Sequence, residues 1–415
     1  MIDDVKPIKK KSSKPIKVMP SRIGNHHVMP KNSLDKPDSS ELGPEPTHFG
    51  PPPKLKKHRL KDLIKRLKRL TWKEWLMIAG ATLVVVGGMV IAYLQVRKTP
   101  TLAPITAKKA ASKAKKSTTE PSKLTGLMVP VAYNKLPVTG VMIENSPDAR
   151  PQSGLKDAGV VFEAVAEGGI TRFLALFQNP SVPDYIGPVR SVRPYYLDYL
   201  GGFDAAVAHV GGSAEGLVQV RSLGSKDLDQ SFNSGYYHRI TSRYAPHNVY
   251  TSIAELSALE TAKGFTTSNY VGFSRKDKET PAPTPTAKTI DLIVSGYYYN
   301  VHYDYDPATN SYKRSEGGKP HTDERTGAQL SPKVVIALVV PESPDPDGVH
   351  TYYQSIGNGT AFVFQDGVVG QLNWSKTDRN LQVHFKDDSG TEVKLDPGQT
   401  WITLVGTAGS VSFKP

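Results

Sequence analysis

The run VVFEAVAEGGITRFLALFQ, residues 160–178, holds two apolar stretches parted by Gly168-Gly169. Strand-forming residues on either side of a Gly-Gly pair read as a β-hairpin. Glu163 interrupts the first strand. Glu144 ends the preceding one, VTGVMIE (138–144), so both carboxylates are read as partly buried. Outward from the hairpin the pattern becomes mixed. RPYYLDYLGGF (193–203) suggests a short helix, and AAVAHV (205–210) a buried strand running into Gly211-Gly212-Ser213. AEGLVQVRSL (214–223) reads as a helix with Ser213 as its N-cap, and IAELSALETAKGF (253–265) as a helix ending at Gly264. The reading is an α+β (or α/β) domain over 127–278. ETPAPTPTAK predicts a linker over 279–288. Beyond it, short runs such as VVIALVV, TAFVFQDG and VVGQLNWS alternate with Gly, Asp and Asn, which predicts an all-β domain over 289–415.

Toward the N-terminus, WLMIAGATLVVVGGMVIAYLQV (75–96) carries no charge and is long enough to cross a bilayer as a helix of roughly 20 residues. Trp72, Trp75 and Tyr93 stand where interfacial aromatics belong. The expectation is a single transmembrane helix. Before it, in 54–74, Leu60, Leu63, Ile64, Leu67 and Leu70 recur at helical spacing among lysines and arginines, the pattern of a basic amphipathic helix on an anionic inner leaflet. Residues 1–53 read as a disordered basic tail, and 97–126 as a flexible stalk. The flanking charge bias is slight. The amphipathic helix places the N-terminus in the cytoplasm and 97–415 outside, in the cell envelope.

The net charge of +13 belongs to the membrane flanks. Residues 1–74 hold 19 Lys/Arg against 8 Asp/Glu, and 97–123 hold 8 against 1, which leaves 124–415 at −5. A nucleic-acid-binding domain concentrates basic charge on its folded surface, so nucleic acid is excluded as a partner. The absence of cysteine excludes disulfides, thiolate metal sites and a lipidated Cys.

No Walker A loop, H-E-x-x-H, G-x-S-x-G or Cys/His cluster occurs, so no cofactor and no metal is expected. Charged and small residues instead crowd 140–250. The candidate cleft comprises Glu144, Asn145, Arg150, Gln152, Ser153, Glu163, Glu167, Arg172, Arg190, Ser191, Arg193, His209, Gly211, Gly212, Ser213 and His247. Three readings stay open. The charges form a buried Glu–Arg network; or arginine forks and the Gly-Gly-Ser turn bind an anionic ligand; or the site is catalytic. In the last case Glu144 or Glu163 is the general acid/base, or His209 works with Ser213 and a carboxylate. His321-Thr322-Asp323, Trp374 and Trp401 offer a possible sugar-stacking surface, with core packing as the plainer alternative.

GVMIENSPDARPQSGL, EGGITRFLALFQ, IGPVRSVRPYYLDY and AHVGGS occur in that order, followed by YKRSEGGKPHTDERTGAQLSPKVVI, FQDG and DPGQTWI. Over about 130–410 these motifs resemble the YerB-like envelope lipoproteins, the DUF3048 family. The resemblance implies a two-domain extracytoplasmic protein attached to the membrane, and it implies no activity. Family members commonly attach through a lipidated Cys. Here the helix at 75–96 takes that place. Most of the candidate cleft residues, together with Pro151 and Gly168, fall on the family's motif positions. The leading reading is a non-enzymatic binding module for an anionic or glycan wall component or a partner protein. The alternative is an envelope-polymer hydrolase using Glu144 or Glu163 as general acid/base.

Overall fold

In the computed structural model the described residues are 71–96 and 117–415, Ser181 excepted. The expected tail (1–53), most of the amphipathic helix and the stalk up to 116 lie outside them. The described residues belong to two units. The first holds helix α1 (Trp72–Val96), which starts three residues before the span read from sequence. Thr71 donates through its backbone N–H and its hydroxyl to the Glu74 carboxylate, which caps the helix start. Over Trp72–Leu94 α1 is apolar and wholly unburied, and it is long enough to cross a membrane.

The second unit begins earlier than the expected stalk allows. Thr119–Pro121 pairs with Met128–Pro130, and Leu124 is buried in the core. Leu124 fits because Gly159 opposite it has no side chain: a Cβ there would lie 2.7 Å from Leu124 Cδ2.

The strands that build the main sheets are, in chain order, β1 (Thr139–Glu144), β2 (Val160–Glu167), β3 (Ile170–Phe177), β4 (Ala206–His209) and β5 (Lys226–Asp229). After these come β6 (Thr289–Leu292), β7 (Val301–Asp306), β8 (Ser311–Glu316), β9 (Lys319–Pro320) and β10 (Val334–Val339). The last are β11 (Gly357–Gln365), β12 (Val368–Lys376), β13 (His384–Lys386), β14 (Thr400–Val405) and β15 (Val411–Lys414). The helices are α2 (Pro194–Gly201), α3 (Ala214–Ser222) and α4 (Ile253–Lys263). The unit is mostly strands with few helices, and its C-terminal half is β.

One ten-stranded mixed sheet runs β13-β12-β11-β10-β14-β2-β3-β1-β4-β5. The β2–β3 hairpin lies near its middle, with Gly168 and Gly169 both at positive φ in the turn. Alternate residues of the hairpin enter two separate cores. Leu174 and Leu176 face one; Phe173, Ala175 and Phe177 face the other. Both faces are therefore covered, which explains why the run is mostly apolar and does not alternate with polar residues. On one face α2 packs against β1 at Gly140, where a Cβ would come within 2.5 Å of Leu200. On the other face α4 buries Ile253, Leu256 and Leu259. Ser213 caps α3, and Gly264 closes α4 at φ 77, as the sequence reading has them.

The two halves of the chain share this sheet. β14, from the C-terminal half, lies parallel to β10 on one side and to β2 on the other, with Thr403 opposite Glu163. The segment 279–288, read as a linker, is tied down. Thr280 N–H reaches the Asp366 carboxylate, and Ala287 N–H reaches the Gly367 carbonyl. A five-stranded sheet, β9-β8-β7-β6-β15, contributes Ile290, Tyr303 and Tyr312 to the same core as the large sheet.

Candidate functional site

The shared sheet explains where the charges go. Glu163 on β2 points among Trp401 and Thr403 of β14 and is fully buried. Trp401 Nε1–H and Thr403 Oγ1–H donate to its Oε2 at 3.0 and 3.2 Å, and Arg314 NH2 lies 2.8 Å from both oxygens. Arg314 comes from β8 and is also fully buried, its guanidinium 4.6 Å from the Trp401 ring centroid and 5.7 Å from that of Phe173. Burial works against its charge, but the Glu163 and Glu316 carboxylates outweigh it and raise its pKa, so Arg314 stays protonated.

Arg314 also donates to His321 Nδ1. Burial and the neighbouring Arg314 charge push the His321 pKa well below its ordinary value. His321 is therefore neutral, accepts at Nδ1 and donates from Nε2 to Gln152 Oε1 at 2.8 Å. Gln152 Nε2 passes the chain on to the Glu144 carbonyl and to Asn145 Oδ1. Asn145 Nδ2 donates to Thr171 Oγ1 and Glu316 Oε1, and Arg150 donates to Asn145 from Nε and NH2. One continuous polar network thus joins β2, the 145–152 loop and the β8–β9 hairpin.

The network surfaces in a cleft of about 420 Å³, within the roughly 300–1,000 Å³ usual for small-ligand sites. Arg150, Glu316 and His321 form its inner wall, and Tyr297, Tyr298 and Lys319 its outer part. Glu316 Oε2 is buried, lies 3.3 Å from Arg314 NH1 as an ion pair, and accepts no hydrogen bond. Tyr297 and Tyr298 are 67% and 60% exposed, with their rings edge to face. Lys319 is exposed and enters no ion pair among the described residues.

The remaining candidates do not join this cleft. Glu144 Oε1 gathers His247 Nδ1 at 2.9 Å, Ser146 Oγ at 3.0 Å and Arg190 Nε at 3.3 Å. Glu167 pairs with Arg172 and Arg193, while Arg172 also donates to the Ser191 carbonyl. Burial raises the Glu167 pKa, but Arg172 and Arg193 together hold it below its usual value. His209 contacts the Gly211 carbonyl and Asp227 Oδ1. Its Nδ1 and Nε2 are both committed to these partners, and Ser213 Oγ caps α3, so the two form no nucleophile–base pair. Gly212 permits close packing against Val192, and Ser153 donates to the Tyr185 carbonyl. The single cleft read from sequence is therefore corrected to four groups with separate partners: Glu163 shares the face of Phe173 and Trp401, while Glu144 and Arg172 lie opposite each other on the other face of the sheet. Glu163, locked to Arg314 in a closed interior, is in no position to serve as an acid/base. Trp374 and Trp401 are 1% and 0% exposed, so they are core residues and offer no sugar-stacking surface.

Sequence reasoning missed Arg314, Glu316, Lys319, Tyr297 and Tyr298. One signal was present. In SYKRSE (311–316) Arg314 and Glu316 are two apart and so share a face of the strand, next to buried Tyr312.

A mixed sheet completed by both halves of the chain, with a buried Glu–Arg–His network at their junction, defines a two-part domain in which neither half is complete alone. The N-terminal half, 124–266, matches the family described as protein of unknown function (DUF3048) N-terminal domain, and 290–402 matches its C-terminal domain. The chain belongs to the DUF3048 family. It is 33% identical over 70% of its length to the Bacillus subtilis (strain 168) protein YerB, which carries a lipoprotein designation, and covers 87% of that protein. The crystal structure of Bacillus subtilis YerB superposes with a TM-score of 0.65 at 28% identity, covering 71% of this chain and all of that one.

Proposed function

We propose that this protein is a membrane-anchored, extracytoplasmic binding module of the cell envelope whose ligand seat is the cleft beside Arg150. In this reading α1 crosses the bilayer, residues 54–74 lie on the anionic inner leaflet, and 97–415 are outside. The observation that carries the ligand reading is the pairing of two exposed tyrosines with a buried carboxylate oxygen, Glu316 Oε2, that is ion-paired with Arg314 but accepts no hydrogen bond, in one cleft.

Aromatic faces take the apolar side of a sugar ring, and a buried carboxylate takes its hydroxyl or amide hydrogens. Glu163 and Glu316 balance Arg150 and Arg314, and His321 is neutral, so the free charge of the cleft is that of Lys319. A glycan carrying negative charge fits best.

The test is binding of purified wall glycan to the full chain in nanodiscs, by calorimetry. The combined Tyr297→Ala and Lys319→Ala variant is expected to lose about tenfold in affinity, the order of one stacking and one charge contact. Equal binding by the variant, or no binding by the parent chain, overturns the proposal.

A further inference from the structure

The second unit starts with an apolar patch next to the point where its chain arrives from α1. Leu127 and Met128 stand at 49% and 62% exposure on the first hairpin, and Val271 stands at 87%. The two segments touch. A Cβ on Gly272 would lie 2.0 Å from the Lys123 carbonyl, and one on Gly126 would lie 3.0 Å from Arg275 Cβ. The hairpin is held firmly from below. Buried Leu124 roots its turn, and Asn134 accepts from Lys123 N–H and donates to the Pro121 carbonyl. The hairpin is thus tied to the body of the unit while Leu127, Met128 and Val271 stay exposed. Lys123 and Lys135 are exposed around them and enter no ion pair among the described residues.

We infer that this patch docks on the surface of the bilayer that holds α1. The inference rests on reading α1 as the anchor. Residues 97–116, extended to the limit of about 3.5 Å each, reach no more than about 70 Å. The first hairpin begins at Thr119, so it is the part of the unit on the shortest leash. Docking on the same bilayer is then intramolecular, and a shallow contact suffices where a free partner would need a large one. Apolar tips flanked by lysines match the headgroup boundary of an anionic bilayer.

The chain has no cysteine, so single labels can be placed at will. The experiment uses the full chain in nanodiscs containing anionic lipid with brominated acyl chains. An environment-sensitive fluorophore is attached at Met128→Cys, Val271→Cys or, as a control, Tyr244→Cys; Tyr244 is 91% exposed. Quenching at 128 and 271 is expected to exceed that at 244 at least threefold. With the label at 271, the added pair Leu127→Asp and Met128→Asp is expected to bring quenching down to the control level. Equal quenching at all three positions, or quenching at 271 that survives the aspartates, overturns the proposal. So does shielding of the labels that appears only when envelope proteins are added, which would make the occupant a protein. A chain that fails to co-elute with the discs overturns the anchor reading and the docking with it.

Discussion

Glu163 and Glu167 sit four residues apart on the same strand, and each meets arginine, yet they are built differently. Glu163 is sealed between the two halves of the chain and shares Arg314 with a second carboxylate, Glu316. Glu167, at the end of β2 beside the hairpin turn, is partly open to solvent and has two arginines of its own, Arg172 and Arg193. A sealed ion pair gains little over apolar packing but is costly to break, because the survivor is left charged and dry. A partly open one gains less and loses less. The difference teaches that the sealed pair specifies how the halves join, while the open one trims a strand end.

The sharpest way to break the contrast is Arg314→Met, which strands Glu163 and Glu316. A loss of about 3–5 kcal/mol is expected in urea unfolding. Adding Glu163→Gln to that variant should restore part of the loss, since the two residues are coupled. Additive losses would show that they are not one device.

A second effect depends on pH and serves as a reference for an unpaired carboxylate. Glu260 is buried on α4 with only Thr139 Oγ1–H donating to it, and burial raises its pKa from 4.5 to about 7. The folded state thus keeps a proton that the unfolded chain releases. This contribution is fully present below pH 4.5 and is lost as pH rises through about 7. It amounts to at most about 3 kcal/mol. Glu260→Gln should remove that part of the stability profile, and a profile unchanged between pH 5 and 8 would assign it elsewhere.

Glu167→Gln is expected to cost about 1–2 kcal/mol by leaving Arg172 short of a partner. Its sign with pH is opposite to that of Glu260. A carboxylate held below its usual pKa stabilises above its unfolded pKa and loses that contribution as the solution is acidified. Acid unfolding of the variant should therefore begin less steeply. The smallest effect falls on the cleft. Tyr297→Ala and Lys319→Ala alter exposed side chains and should move stability by less than about 0.5 kcal/mol while weakening glycan binding. A large loss of stability would reassign these residues to the fold.

Much of the local structure could be read directly. The Gly168-Gly169 hairpin, the Ser213 cap, the Gly264 stop and the FQDG turn at 364–367 all follow from backbone chemistry within a few residues. The candidate site was only half legible. Asn145, Arg150, Gln152 and Glu163 stood out as polar residues in apolar surroundings. Their partners did not, because Arg314, Glu316 and His321 lie 151 to 171 residues away and look like ordinary exposed polar residues of a β-hairpin.

The sequence by itself determined an apolar helix between basic flanks, a mildly acidic folded part and membership in one family, since composition, periodicity and motif order are properties of the chain. Only the tertiary structure decided that the 279–288 segment is no free linker, that β14 closes the sheet beside β2, and that the charge cluster splits into four groups, of which the network around Glu163 and Arg314 opens into the cleft beside Arg150. The physical reason lies in pairing. Which carboxylate is buried depends on which strand lies next to it, and that neighbour comes from the far end of the chain.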